Sequence, residues 1–93
     1  MKQTPPLVLV EWEDSRRPNA EWAFLSDYSM PGTCDCISVG YLIRQVKWMI
    51  ALAPNLADVN SYDDVQTSGI IHIPARSIKR MVKLVEEKRE TKP

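Results

Sequence analysis

Two cysteines and one histidine are the residues of this chain best suited to metal or nucleophilic chemistry. Cys34 and Cys36 stand one residue apart, so in a strand their side chains share one face, a spacing that is poor for a disulfide between them. A tetrahedral zinc site takes about four ligands, and His72 adds only one more. No motif places a serine or cysteine beside His72 as a nucleophile. The sequence therefore predicts half-buried, reduced cysteines, an interior or cross-strand His72, and no metal or other cofactor.

Acidic residues and glycines give little support for an enzyme. Glu11 and Glu13 alternate with apolar residues and would share the solvent face of a strand, next to Asp14. Solvation explains these carboxylates better than acid–base catalysis does. The three glycines are scattered, and the chain has neither Gly-x-Gly-x-x-Gly nor a phosphate loop. We expect no catalytic residues and no enzymatic activity.

Basic residues gather late in the chain, although the formal charge is zero from 12 basic and 12 acidic residues. A neutral chain does not coat nucleic acid or anionic membrane by bulk charge. The stretch Arg76, Lys79, Arg80 and Lys83 nevertheless contains no acid among its cations. Arg76 and Arg80 are therefore candidate residues for binding an anion, with a solvated charged face as the alternative.

Three tryptophans are more than the core of so small a chain needs. Trp12 and Trp48 lie in predicted strands and are expected in the core or the wall of a barrel. Trp22 follows Arg16 and Arg17, and an aromatic ring beside a guanidinium can stack a base and hold a phosphate. Arg16, Arg17 and Trp22 thus complete the candidate ligand-binding set. Capping one end of a barrel is the alternative role for Trp22.

The length of 93 residues predicts a single domain, with its core at about 7–85 and a polar tail at 86–93. So short a chain hides only about 60 to 65% of its unfolded surface, and either a partner subunit or the chain's own tails are expected to cover open edge strands. A homo-oligomer is therefore expected. No apolar run approaches the roughly 20 residues of a membrane span, and residues 1–6 lack a secretory apolar region. We expect a cytoplasmic protein without membrane contact.

Alternating apolar residues and β-propensity predict four strands. These are residues 7–13, 33–44, 48–53 and 69–73. The short connection at 45–47 makes the middle two a hairpin. Residues 14–20 and 55–68 are predicted loops, the second being the more mobile and variable. Residues 21–25 fit either a helical turn or a short strand.

Residues after Pro74 fit two structures. A helix is favoured by propensity and by an apolar stripe at i, i+3, i+4 and i+7, formed by Ile78, Met81, Val82 and Val85. A helical turn at 75–79 followed by a strand at 80–85 fits the same residues.

The long strand at 33–44 with Gly40 in its middle, the hairpin to 48–53, and a strand at 69–74 running into Ile78 resemble the Sm-like (SH3-like) family. In that family a glycine interrupts the second strand, and a strand, a brief turn and a final strand close the chain. The resemblance implies a mainly β fold, a small, strongly bent five-stranded barrel with a short helical turn. An α+β fold with a C-terminal helix is the alternative.

The same resemblance bears on ligand binding. Sm-like proteins that bind uridine-rich RNA carry an Asp/Asn pair in the turn after the second strand, where this chain has Gln-Val-Lys at 45–47. That departure speaks against RNA readout of the Sm type. The family also often places a basic or polar residue before the last strand, facing a ring's pore, and Arg76 lies at about that place.

Residues 36–43, 52–55 and 69–74 are also similar to small uncharacterised proteins of bacteriophages and prophages. That similarity implies a phage-encoded accessory protein in the host cytoplasm. We expect an oligomeric, non-enzymatic binding module that holds a small anionic ligand, such as a nucleotide signal of host defence, or a short nucleic-acid segment, near Arg76. The alternative is a protein–protein interaction or structural component that acts on a host protein or its own copies through edge-strand pairing.

Overall fold

A computed structural model of the chain describes residues 4–60 and 62–88. Seven strands occur in this part of the chain: β1 (Leu7–Asp14), β2 (Cys34–Val46), β3 (Met49–Ala53), β4 (Asn55–Ala57), β5 (Gln66–Ser68), β6 (Ile71–Pro74) and β7 (Ile78–Lys83). Two 3₁₀ turns lie at Leu25–Asp27 and Ala75–Ser77. The predicted mainly β class is confirmed. Residues 1–3, residue 61 and residues 89–93 lie outside the described residues. The last of these ranges covers most of the predicted polar tail at 86–93.

The strands form one five-stranded antiparallel sheet in the order β6–β3–β2–β1–β7 and a separate two-stranded sheet, β4–β5. The predicted hairpin is the β2–β3 pair. No closed barrel is found in the described chain, since β6 and β7 end the sheet on opposite sides. β6 has only four residues and ends in Pro74, which has no N–H to donate to a further strand.

The C-terminal helix of the α+β alternative is wrong. Ala75–Ser77 is a single 3₁₀ turn, and β7 follows it directly, so the structure has the turn-plus-strand arrangement. Pairing with β1 explains the outcome, because Met81 lies opposite Val10 and Val82 opposite Leu9. Sheet pairing and burial override local helix propensity here.

The predicted loop at 55–68 contains regular structure. β4 and β5 pair from Asn55 opposite Ser68 to Ala57 opposite Gln66, and Thr67 Oγ1 donates a 3.0 Å hydrogen bond to the Asn55 carbonyl. Each strand has only three residues, which is too short for alternation in the sequence to reveal it. The predicted loop therefore contains two short paired strands.

The core lies on one face of the five-stranded sheet. Its buried members are Val8, Val10, Trp12, Ile50, Leu52 and Ile73, with Cys36, Leu42, Ile78 and Met81 packed against them. Trp12 is only 9% exposed, as predicted. Trp48 is 72% exposed, so the first of its two predicted positions, the core, is wrong. It lies in the β2–β3 turn, where its carbonyl accepts a hydrogen bond from the Ala75 N–H at 2.8 Å.

Gly40 allows the two central strands to approach each other closely. It faces the core side opposite Val8, and a Cβ at this position would lie 3.0 Å from the backbone oxygen of Ala53. That separation is tighter than nine in ten Cβ contacts of folded proteins, so a side chain here would require the neighbouring backbone to shift by a few tenths of an ångström. The absence of a side chain at position 40 therefore permits this close backbone contact.

Candidate interaction surfaces

The connection between β1 and β2, residues 15–33, is anchored at its base. Arg16 Nε donates a 3.0 Å hydrogen bond to the Gly32 carbonyl, and Arg16 Nη2 donates one of 2.9 Å to the Thr33 carbonyl. Thr33 Oγ1 donates to Glu13 Oε2 at 3.1 Å. The guanidinium predicted to hold a ligand phosphate therefore binds the chain's own carbonyls. We call residues 15–33 the aromatic loop.

The tip of the aromatic loop presents large apolar side chains to solvent. They are Trp22, Phe24, Leu25, Tyr28 and Met30. Trp22 is 101% exposed, so its ring packs against nothing in the described chain and does not cap the sheet. The Cα radius of gyration, 18.9 Å, exceeds the roughly 12 Å of a compact domain of this length, as expected when segments project from a sheet. Solvated aromatic side chains on a loop are a feature of binding surfaces.

A cleft of about 810 Å³ lies along the inner side of the aromatic loop. Arg16 and Arg17 line it together with Tyr28 and Met30, whereas Trp22 does not. The structure thus does not bring Trp22 and the two arginines to one cavity, as base stacking beside a bound phosphate requires. Residues 21–25, left open between a helical turn and a strand, form no strand, and Leu25 begins the 3₁₀ turn Leu25–Asp27, which is the only regular structure of the loop.

The sheet carries a second apolar surface, on the face opposite the core. Leu9 lies between Val39 of β2 and Val82 of β7, and directly opposed residues of antiparallel strands share a face. Ile37 joins them two residues from Val39. Ile37 is 67% exposed and Val39 51% exposed. We call these four residues the outer apolar patch.

Ion pairs border the outer apolar patch. Lys79 Nζ lies 2.9 Å from Glu13 Oε1 and 2.9 Å from Asp35 Oδ1, and Arg80 Nε lies 3.2 Å from Glu11 Oε2. Hydrogen bonds to Asp35 and Glu13 raise the pKa of Lys79. The hydrogen bond from Lys79, followed by the one from Thr33, lowers the pKa of Glu13. Two cations of the basic stretch therefore already have carboxylate partners within the chain.

Arg76 is exposed in the 3₁₀ turn before β7. It lines a cleft of about 430 Å³ that also contains Ser15, Thr33, Glu13 and Asp14. The two carboxylates there oppose the binding of an anion. The five predicted ligand residues consequently fall at separate places: the loop base for Arg16 and Arg17, the loop tip for Trp22, this cleft for Arg76, and the outer face for Arg80.

The two cysteines and the histidine considered for metal or nucleophilic chemistry lie on strands of the five-stranded sheet. Both cysteines are half-buried free thiols, and His72 lies exposed on β6 opposite Ala51, a cross-strand position. Burial, followed by Cys34 beside it, raises the pKa of the Cys36 thiol. Residues 4–60 and 62–88 hold no group of three or more His, Cys, Asp or Glu side chains that could bind a metal ion.

The sequence interpretation missed most of the aromatic loop. It singled out Trp22, yet five large apolar residues occur between Pro18 and Pro31. The composition of the segment indicated this surface, because a connection between two strands is normally polar and this one is rich in large apolar residues. Exposure of the whole set could not be read locally, since each residue type is common in cores.

Comparison with known proteins identifies no relative. No protein family matches the chain, and no curated protein or solved structure matches it either. Within the described residues no helix is long and apolar enough to cross a membrane. What bears on function is therefore the geometry of the chain's own surfaces.

Proposed function

We propose that this chain is a non-enzymatic interaction module that binds another protein through the aromatic loop. The observation that carries the proposal is the exposure of Trp22, Phe24, Leu25, Tyr28 and Met30 on a loop whose base is hydrogen-bonded. Trp and Tyr are enriched among the residues that dominate binding energy, because they bury a large area at a low entropic cost. An anchored base also limits the ordering that binding requires.

The free energy expected from burying the loop tip indicates that stable binding needs further contacts. Complete burial of a large apolar side chain contributes about 1.5–3 kcal/mol, so the loop tip supplies roughly 8–15 kcal/mol before costs. Association itself costs about 4–15 kcal/mol. The outer apolar patch and the sheet edges are the surfaces available to supply the remainder.

Edge-strand pairing is the second component of the proposal. β6 and β7 end the five-stranded sheet, and β7 is the longer of the two, with six residues. An extended segment of a partner can add to such an edge through main-chain hydrogen bonds. β7 also carries the exposed Lys83, whose charge discourages unspecific pairing at a sheet edge.

The Sm-like (SH3-like) relationship belongs to the same proposal. It is supported by Gly40 in the second strand and by the succession of β6, a 3₁₀ turn and β7 along the chain. In an oligomer, a strand from a second copy would complete the sheet. A phage origin, a cytoplasmic location and a host protein as partner are the expectations that go with it, and the free thiols fit a reducing compartment.

The experiment compares how well a partner protein is bound by the intact protein, by a Trp22→Ala/Leu25→Ala variant and by a Tyr62→Ala variant. Tyr62 is an exposed aromatic residue outside the aromatic loop and provides the matched control. A photo-crosslinker at position 24 is activated in host cells, and the crosslinked partner is identified by mass spectrometry. The purified partner is then titrated against all three proteins.

Loss of affinity in the double variant with wild-type affinity in Tyr62→Ala is the expected result. Light scattering on the same samples shows whether the captured partner is a second copy. Equal affinity in all three proteins, or no crosslink at position 24, contradicts binding through the loop.

A further inference from the structure

The sulfur atoms of Cys34 and Cys36 lie 3.8 Å apart. In a strand, residues i and i+2 are separated by about 6.6 Å along the backbone, so two side chains on one face do not meet by default. Here both cysteine side chains lean toward each other. Cys36 Sγ also lies 3.6 Å from the Cys34 carbonyl oxygen, a weak thiol hydrogen bond. Both thiols are free and half-buried, and neither is sealed in the core.

The separation of the two sulfurs matches one edge of a tetrahedral thiolate site. With a metal–sulfur bond of about 2.3 Å, tetrahedral geometry places neighbouring sulfurs about 3.8 Å apart. We propose that Cys34 and Cys36 together bind one soft divalent cation of the Zn²⁺ or Cd²⁺ type as a bidentate dithiolate. The site would need little rearrangement of the two side chains. It is independent of the proposed protein-binding function.

A neighbouring acid favours a cation at this place. Asp14 lies opposite Cys34 on β1, and Asp35 lies between the two cysteines on β2. The negative charge of Asp14 attracts a metal ion, whereas the carboxylate of Asp35 is already paired with Lys79. Binding therefore forms two metal–sulfur bonds, breaks two S–H bonds and releases two protons to solvent. No electron is transferred, and the thiols need no oxidant.

Two coordination positions remain for ligands from outside the pair. Residues 4–60 and 62–88 contain no group of three or more His, Cys, Asp or Glu side chains that could hold the ion. Water, or the same cysteine pair of a second copy, completes the tetrahedron. Stoichiometry distinguishes these cases, as one cation per chain or one per two chains.

The test is a titration of the reduced, tag-free protein with Cd²⁺, followed by the ultraviolet charge-transfer absorption of the cadmium–thiolate bond. We expect a band that saturates at one of these two stoichiometries and is displaced by excess Zn²⁺. Cys34→Ser and Cys36→Ser should each abolish the saturating band. His72→Gln removes the chain's one histidine and should leave the band unchanged.

Absence of the band in the wild type, or a band that persists in either serine variant, overturns the proposal. Cys36 packs against the core, so its variant is checked for folding by circular dichroism. A second measurement needs no variant: excess Zn²⁺ should slow the reaction of both wild-type thiols with a disulfide reagent. Unchanged thiol reactivity in the presence of Zn²⁺ also overturns the proposal.

Discussion

The indole Nε1 of Trp12 donates a 3.0 Å hydrogen bond to Oγ of Ser38 across the β1–β2 pair. Trp12 lies opposite Cys36, and Ser38 opposite Val10, so the bond runs diagonally on the core side of the sheet. It satisfies the one polar atom of a buried aromatic ring. Within the described residues no buried side-chain nitrogen or oxygen lacks a partner. This bond links the packing of the core to the register of its two longest strands.

Ser38→Ala should destabilise the fold because it leaves the Trp12 N–H buried without an acceptor. The expected loss in the free energy of unfolding is about 1–3 kcal/mol. Urea denaturation measures it, with Ser29→Ala in the exposed aromatic loop as the control, which should change stability by less than about 0.5 kcal/mol. Equal stabilities of the two variants would show that the bond contributes nothing.

Gly40→Ala should also destabilise the protein, against the usual trend for glycine in a strand. Alanine is normally better there by roughly 0.5–1 kcal/mol. Here its Cβ would lie 3.0 Å from the Ala53 carbonyl oxygen, so the strands must separate, at a cost of about 1–3 kcal/mol. The sign of the change in thermal midpoint is the measurement. A stabilised variant would mean that β2 and β3 are not in close contact at this position.

The three tryptophans should differ sharply in their contribution to stability. Trp12→Ala removes a buried ring and should cost about 3–5 kcal/mol. Trp22→Ala and Trp48→Ala remove exposed rings and should each change stability by less than about 0.5 kcal/mol. Chemical denaturation of the three variants tests this order. A large loss for Trp22→Ala would reveal packing of the aromatic loop against the sheet and would weaken the case for a free binding surface.

Stability should fall in acid because the pKa of Glu13 is lowered in the folded state by Lys79 and Thr33. A lowered pKa means that the unfolded chain binds the proton more tightly, so the contribution is present above the ordinary value of 4.5 and is lost as the pH falls through the folded-state pKa. Glu13→Gln should show a weaker loss of stability between neutral pH and this acid range.

The pH dependence of stability that comes from Lys79 has the opposite sign. Its pKa is raised by Asp35 and Glu13, so its contribution to stability is present below 10.5 and disappears as the pH rises through the folded-state pKa.

For the prediction on Glu13, the variant Glu21→Gln in the aromatic loop provides the control in the acid range. Identical pH profiles for Glu13→Gln, Glu21→Gln and the wild type would contradict a role for the ion pair.

Binding of a small anion remains a prediction with its own test. Native mass spectrometry of gently purified protein reads subunit number and bound mass together. If an anionic ligand is present, Arg76→Ala/Arg80→Ala should abolish it without unfolding the protein, whereas Lys47→Ala, an exposed cation of the β2–β3 turn, should retain it. A ligand held with unchanged affinity by the double variant would remove these two arginines from the candidate site.

Local pattern alone located β1, β2, β3 and β6 to within about two residues. Alternation and turn-forming residues are properties of short windows, and they require no knowledge of the partner strand. The same local signals left residues 75–85 open between helix and strand, because their apolar spacing fits both. Pairing of Val82 with Leu9 across the sheet selects the strand, and that partner lies at the other end of the sequence.

Tertiary structure decided which side of β2 faces the core. The side chains of β2 alternate between two sets, and Ile37 and Val39 belong to the more apolar one. They nevertheless point outward, while Ser38 and Gly40 face inward. The inward position of Gly40 follows from the close approach of the Ala53 backbone, and that of Ser38 from the Trp12 N–H. Exposure of the aromatic loop likewise depends on what covers it. Composition records how apolar a side chain is, but only the folded chain determines whether another surface lies against it.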